Sequence, residues 1–296
     1  LKILALINYV DRSHCSPDTI RKMEHLFTVR RVPFRIVKFT SREEAVTAME
    51  KGRVEGFDTL IMGGGDGTVH NLFNDAFDKG FSFGVIPMGT VNALAVSLNI
   101  PHDPLEACRV VLEGRIRKID VGRAAGRLFT CFASVGYDAS VVHTIDQQSK
   151  IRWKRAAFFI QGLRRLARLK ELRSFRVKIP PSKKRMRGYS LIISNIRHYA
   201  GFDFFSEEPD DGKMGMVLMR KNTPLDYIRS VGKMFFTRKK KVEHDPLIYR
   251  SEIIKLTLKS RGHLFLQLDG EPIPLEKGRR VTFEILPHAA AFHAPK

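Results

Sequence analysis

The run Gly63-Gly64-Gly65-Asp66-Gly67-Thr68 constrains this chain more than any other stretch. It follows a short apolar segment, Thr59-Leu60-Ile61-Met62, that reads as a buried strand. It precedes Val69, Leu72, Phe73, Ala76 and Phe77 at helical spacing. A strand, a glycine turn and a helix start together make an anion site. The glycines let the main chain approach closely and aim several N–H groups at one point. The first turn of the helix adds the positive end of its dipole. Asp66 places a carboxylate among those donors, where it can hold a magnesium ion or an acidic hydroxyl partner. The plainer reading of the same residues is a tight connection between strand and helix, because glycine-rich matches recur without function.

The segments around this loop alternate. Residues 1–7 and 34–39 read as strands, and 83–86 is a further strand ended by Pro87. Helices are expected from Ser16-Pro17-Asp18 to about Arg30, from Ser41-Arg42-Glu43-Glu44 (a capping-box pattern) to about Lys51, over 92–97 and over 104–113. This βαβα order argues for a mostly parallel sheet with helices on both faces. A second glycine turn, Pro87-Met88-Gly89-Thr90-Val91-Asn92, follows the next strand. In a doubly wound sheet, ligands sit at the carboxyl ends of strands. Two such turns after neighbouring strands would flank one crevice, with the Thr68 and Thr90 hydroxyls and the loop amides around the phosphates of a nucleotide.

Near Asp120 the pattern changes. Strands are expected over 127–134, 175–179, 189–195, 215–219, 253–258, 264–268 and 280–285, with one long helix over 151–172. The second half is therefore expected to be a sandwich of antiparallel strands. Near its end, Gln267-Leu268-Asp269-Gly270-Glu271-Pro272 forms a turn that carries two carboxylates. By turn chemistry alone it is an ordinary hairpin.

The 296 residues suffice for two domains, and 43% hydrophobic with 28% charged residues suits a folded chain. No run reaches transmembrane length and no leader peptide is visible. Since the chain opens at Leu1 on a strand-like run, a few preceding residues are expected. Cys15, Cys108 and Cys131 have no metal-ligand spacing and suggest a reducing compartment. The formal charge of +20 favours a polyanionic partner. Residues 150–187 hold fifteen Lys or Arg against one acid, Glu171, and so carry +14 of it. Ala156, Phe159, Ile160, Leu163, Leu166 and Ala167 give that segment an apolar face, so it can lie on an anionic membrane surface or pack on its own domain. The cluster Arg238-Lys239-Lys240-Lys241 reads as a solvated loop. Nucleic acid is not expected, since no zinc spacing, RNP motif or helix-turn-helix pattern accompanies the charge.

Taken in order, these elements resemble the diacylglycerol kinase catalytic-domain family, which includes sphingosine, ceramide and bacterial lipid kinases. Residues 64–68 match its GGDGT signature, and 87–92 its P-x-G-T-x-N turn. Asp103-Pro104 and Ile119-Asp120-Val121-Gly122 match the segment leaving the first domain. Ser134-Val135-Gly136-Tyr137-Asp138-Ala139, Asp210-Asp211-Gly212-Lys213 and 268–272 match three later stretches. The resemblance implies an α/β ATP-binding domain over 1–122, joined by a returning segment 286–296, and a β-sandwich lipid-binding domain over 123–285. It implies ATP contacts at Thr40, at Gly64, Gly65, Asp66, Gly67, Thr68, Val69 and His70, and at the Gly89, Thr90, Asn92 turn. It implies a proton acceptor in the Asp269-Gly270-Glu271 turn, usually the glutamate. It also implies a structural Mg2+ at Asp211 with the carbonyls of Glu208 and Lys213. The activity implied is transfer of the γ-phosphate of ATP to a hydroxyl of a membrane lipid, diacylglycerol-like, sphingoid or related, in phospholipid biosynthesis. Such a protein would be cytoplasmic and peripherally membrane-associated, and a homodimer is possible. A carboxylate from one domain would take the lipid's proton while the glycine turns of the other hold the phosphates.

The chain also departs from the family. Asn8-Tyr9-Val10-Asp11-Arg12 replaces N-P-x-[SA]-G, which weakens a nucleotide role for Asn8. His70-Asn71 replaces Asn-Glu, and Tyr199-Ala200-Gly201-Phe202 lacks the triple glycine. These changes leave a catalytically inactive membrane- or nucleotide-binding module as a rival. NAD kinase, which shares a GGDG loop, is a further rival, disfavoured by the 87–92 and 268–272 turns together.

Overall fold

The computed structural model describes residues 1–10, 16–143, 172–181, 185–199, 202–237, 242, 244–260, 262–276, 278 and 280–296. The helix expected over 151–172 falls almost wholly outside the described residues, as do Arg238-Lys239-Lys240-Lys241 and Ala200-Gly201. The chain divides into two compact units, Leu1–Ile119 with His288–Lys296, and Asp120–Pro287.

The first unit contains β1 (Ile3–Asn8), α1 (Pro17–Val29), β2 (Phe34–Phe39), α2 (Arg42–Val54), β3 (Thr59–Gly64), α3 (Asp66–Ala76), β4 (Ser82–Pro87), α4 (Ala93–Ser97) and α5 (Pro104–Glu113). Its strands run parallel in the order β2-β1-β3-β4. Ile3 to Ile7 of β1 are fully buried, as expected of a central parallel strand covered on both faces. Local chemistry sets the helix starts. The Ser16 hydroxyl accepts from Thr19 N, Ser41 and Glu44 form the capping box, and Asp103 accepts from Leu105 N and Glu106 N. α2 runs beyond Lys51 to Val54, with Gly52 inside it packed against Leu4, where an added methyl would stand 2.7 Å from Leu4 Cδ2. Phe73 of α3, Phe83 of β4 and Phe292 form an aromatic cluster with centroids 5.1–5.7 Å apart.

β5 (Arg115–Ala124) leads out of this unit, and the second follows with β6 (Arg127–Phe129), β7 (Phe132–Val135), α6 (Tyr137–Val142), β8 (Phe175–Lys178), β9 (Arg185–Gly188), β10 (Ser190–Ser194), β11 (His198–Tyr199), β12 (Phe202–Asp203) and β13 (Met214–Met219). A helix over Pro224–Thr237 comes next, then β14 (Ile248–Ile253), β15 (Lys255–Lys259), β16 (Leu266–Leu268), β17 (Glu271–Ile273) and β18 (Arg280–Ala294). One antiparallel sheet has the order β14-β13-β10-β7-β16-β17. The facing layer pairs β15 with the first part of β18 and with β8, and β8 with β9, all antiparallel. Leu191, Ile193, Met216, Leu218 and Leu266 of one layer share a core with Val177, Leu256, Leu258, Val281 and Phe283 of the other. The alternate residues Ile192, Val217 and Met219 point to the opposite face and pack with Phe204, Phe205 and Met234. The expected α/β-plus-sandwich architecture is thus present. Among the described residues no helix is long and apolar enough to cross a membrane.

The sequence reading did not anticipate β5, α6 or β9, and three further differences have a local reason. The strand expected over 253–258 is two strands, broken at the exposed Ile254, where the chain changes from the six-stranded sheet to the facing layer. The helix over Pro224–Thr237 was not anticipated, since its apolar residues lie on both its inner and outer faces and blur the period. The strand expected over 127–134 is interrupted at Thr130-Cys131 by a carboxylate. Asp269 Oδ2 accepts from Thr130 N (2.8 Å) and Thr130 Oγ1 (3.3 Å), and Oδ1 accepts from Cys131 N and Phe132 N, both at 2.9 Å. Asp269 and Gly270 both have positive φ (50° and 85°) between paired Leu268 and Glu271, the geometry of a two-residue type I′ hairpin.

Asp269→Ala is expected to lower the unfolding free energy by about 3 kcal/mol, because it leaves buried N–H groups without their acceptor. Urea unfolding checks this, and a loss below about 1 kcal/mol would mean that the anchor is dispensable.

Candidate functional site

The carboxyl ends of the four parallel strands finish level, with Asn8 beside Phe39, Ile7 beside Gly63 and Gly64 beside Pro87. That register gathers Asn8, Thr40, residues 64–68 and residues 89–92 at one edge of the first unit's sheet. There the two glycine turns touch backbone to backbone. A methyl group on Gly89 would stand 2.7 Å from Gly65 Cα, and one on Gly64 would stand 2.5 Å from Thr68 Cγ2. Only glycine leaves room for this contact.

Asp66 and Asn92 hold the pair of turns in shape. Asp66 Oδ2 accepts from Asn92 N (3.0 Å) and Oδ1 from Ala93 N (2.6 Å), so the carboxylate of the first turn caps the short helix that follows the second. Asn92, at φ 52°, closes its own turn, accepting from Gly89 N at 2.8 Å and donating through Nδ2 to Gly89 O at 2.9 Å. Met88 N donates to Gly64 O at 3.0 Å. Gly65, the N-cap of α3, is extended and makes no side-chain cap bond, an arrangement in which first-turn N–H groups can meet an anion. The role assigned to Asp66 by its position is therefore to fix the turns.

The remaining residues of this edge fall into place around those turns. Thr68 Oγ1 accepts from Asn8 Nδ2 at 2.8 Å, which leaves its hydroxyl hydrogen to donate. The altered residues after Asn8 obscured this link in the sequence; the signal available was an Asn at the carboxyl end of a buried strand. Thr40 is exposed at the end of β2, with its N and Oγ1 both donating to Glu44 Oε2, at 2.8 and 3.2 Å. Those bonds hold the Glu44 carboxyl below its ordinary range. Thr90 is exposed and Gly67 half-buried, whereas Val69 and His70 are buried in the inner face of α3.

In the second unit the two carboxylates of the 269–271 turn separate by role. Asp269 is buried and committed to the 130–132 backbone, while Glu271 is half-buried at the start of β17. Gly270 N donates to Gln267 Oε1 at 2.7 Å, so Gln267 steadies the turn from below. The other end of Gln267 meets a polar cluster that sequence reading did not single out. Gln267 Nε2 donates to Ser134 Oγ at 2.9 Å, and Ser134 donates to Asp138 Oδ2 at 2.6 Å. Tyr199 also bonds the Asp138 carboxyl, which burial pushes upward against the lowering effect of these donors. Burial, then the Asp138 charge, drives the Tyr137 phenol up to about 12 and pushes Tyr199 and Tyr227 upward too.

Asp211 accepts from Glu208 N (3.1 Å) and Lys213 N (2.9 Å), and burial, with Asp120 nearby, raises its carboxyl. Asp120 is itself fully buried, accepting from Gly212 N at 2.6 Å. The Lys213 ammonium pairs with Glu252 at 2.9 Å. The Glu208 carbonyl accepts from Asp211 N at 3.4 Å, and one carboxylate with carbonyls is the donor type that a hard cation takes. Among the described residues no group of three or more His, Cys, Asp or Glu is placed to hold a metal by side chains alone.

Comparison with known proteins fits both units. Residues 2–124 match the diacylglycerol kinase catalytic domain, and 131–292 match the YegS C-terminal NAD kinase beta sandwich-like domain. A Pseudomonas aeruginosa (strain UCBPP-PA14) protein named "Probable lipid kinase YegS-like" is 28% identical over 85% of this chain and 82% of its own length. A Staphylococcus aureus (strain bovine RF122 / ET3-1) protein named diacylglycerol kinase is 27% identical over 77% of this chain and 72% of its own. A crystal structure of a diacylglycerol kinase from Bacillus anthracis str. Sterne superposes with a TM-score of 0.71 at 16% identity, covering 99% of this chain and 96% of that one, and so shares its fold. With the glycine turns and the sandwich both in place, the chain belongs to the diacylglycerol kinase catalytic-domain family and is a kinase of that family.

Proposed function

We propose that this kinase transfers the γ-phosphate of ATP to a hydroxyl group of a membrane lipid, diacylglycerol-like, sphingoid or related. The observation that carries the reading is the pair of touching glycine turns beside an uncapped helix start, braced by Asp66 and Asn92. A triphosphate is the ligand such a cradle suits, because phosphoryl transfer needs positioning and neutralised charge more than covalent help. In this reading the amides of residues 64–68 and of the 89–92 turn hold the phosphates. Thr68, oriented by Asn8, donates its hydroxyl to a phosphate oxygen, and Thr40 borders the nucleotide. His70 and Val69 support the helix from within.

Glu271 is the proposed proton acceptor for the attacking hydroxyl, and Asp269 is the anchor that fixes the turn carrying it. Magnesium at Asp211, with the carbonyls of Glu208 and Lys213, would tie the 208–213 loop together, a structural task. Peripheral association with an anionic membrane surface, to which the basic segment 150–187 contributes, belongs to the same proposal.

Labelled ATP with a panel of detergent-dispersed lipids tests the activity. A phospholipid product is expected. Labelling of a soluble nicotinamide dinucleotide instead would point to NAD kinase, and no transfer to any acceptor would favour an inactive binding module. Glu271→Gln is expected to lower kcat by about 10²–10⁴ with the KM for ATP nearly unchanged; retention of full turnover would remove Glu271 from the mechanism. Asp66→Asn should lose most turnover and about 1–2 kcal/mol of stability together, since an amide places N–H against the Asn92 and Ala93 donors. Loss of turnover at unchanged stability, read by urea unfolding, would show that Asp66 acts on the ligand rather than through the turns.

A further inference from the structure

The helix over Pro224–Thr237 carries more apolar surface than its packing uses. Ser230 and Met234 are buried, and Tyr227 and Val231 pack beside Met234 against Ile192, Val217 and Met219. Internal bonds complete the attachment: Ser230 donates to Asp226 O at 2.7 Å, Thr223 donates to Asp226 Oδ2 at 2.7 Å, and Lys233 pairs with Asp245. On the opposite side, Leu225, Ile228 and Phe236 are 56%, 58% and 86% exposed. With Gly232 they fall at intervals of three, four and four residues, one straight stripe along the outer face. The stripe spans roughly 16 Å at 1.5 Å per residue. Phe236 is the one aromatic side chain among the large exposed hydrophobics of the described residues.

Charge decides what covers this stripe. Arg229 is exposed within it, and Arg220 and Lys221 are exposed just before it. The sequence continues directly into Arg238-Lys239-Lys240-Lys241. The nearby acids are already engaged, Asp226 with Thr223 and Asp245 with Lys233. A second copy of the same face would set these cations against one another. An anionic bilayer neutralises them and takes the apolar side chains into its acyl boundary, as amphipathic interfacial helices do.

We infer that the outer face of the Pro224–Thr237 helix is a membrane-docking surface, with Leu225, Ile228 and Phe236 entering an anionic bilayer and Arg220, Lys221 and Arg229 meeting its headgroups. The inference deepens the kinase reading and rests on it, since a lipid acceptor has to be reached in a bilayer. The substituted residues lie outside the 150–187 segment, so the two contributions can be separated by substitution.

The test is flotation of the full chain with vesicles of phosphatidylcholine and phosphatidylglycerol (7:3) and with pure phosphatidylcholine. The wild type should bind the anionic vesicles and lose binding as salt rises. The triple variant Leu225→Ser, Ile228→Ser, Phe236→Ser should keep its fold and lose about 30-fold in partitioning, given the apolar area withdrawn. Gly232→Leu adds a side chain where nothing lies within 4 Å of the new Cβ, and it should increase partitioning severalfold. Unchanged binding in both variants overturns the inference. So does a triple variant that changes only the sedimenting mass, because the face would then join two copies. Phosphorylation of detergent-dispersed lipid should be unaffected by the triple variant. If the wild type phosphorylates no dispersed lipid yet its vesicle binding falls with the triple variant, the kinase reading fails and the docking surface stands.

Discussion

The first unit's candidate site depends on one close approach: Gly65 and Gly89 meet with no side chain between them. Parallel register brings β3 and β4 to the same level, so the two turns necessarily emerge side by side. Whether they form one surface is decided by atoms absent from the sequence at those positions. A Cβ on Gly89 would push the turns apart and break the alignment that lets Asp66 reach across to Asn92 and Ala93. The carboxylate then converts proximity into rigidity. A charged acceptor between two main-chain donors is stronger than a neutral bond, and it fixes the first residues of the helix after the second turn. Preorganisation of this kind is what a site for phosphoryl transfer requires, because donors already in place cost no reorganisation during reaction.

The second unit uses a carboxylate in the same structural manner but at a hairpin. Asp269 takes donors from three successive residues, and in doing so ends one strand and starts another. Two acids two residues apart therefore stand in different surroundings: Asp269 is buried under main-chain donors, and Glu271 is half-buried at the start of β17.

Much of this was legible in the chain. The glycine turns, the capping box at Ser41 and Glu44, and the change from helix–strand alternation to successive strands follow from short-range rules about caps, turns and periodicity. What was not legible depends on partners distant in sequence. Nothing near Thr130 announces that Asp269 breaks its strand. The link from Asn8 to Thr68 spans sixty positions. The Ser134, Asp138, Tyr199 and Gln267 cluster is assembled from four separate elements. The helix over Pro224–Thr237 escaped for a different reason: an apolar outer stripe added to an apolar inner face erases the contrast by which amphipathic helices are recognised.

The long last strand has a consequence for biosynthesis. β18 begins in the sandwich and ends in the α/β unit, where Phe292 lies beside Phe83 and His293 beside Ser82. The unit that leaves the ribosome first is therefore the one completed last. Until residues 288–296 arrive, the flank of β4 is an open sheet edge with an unfilled aromatic cluster. Such an edge invites wrong pairing. Final closure of the first unit is thus coupled to synthesis of the sandwich, so a truncated product would be recognisable to quality control by its bare edge.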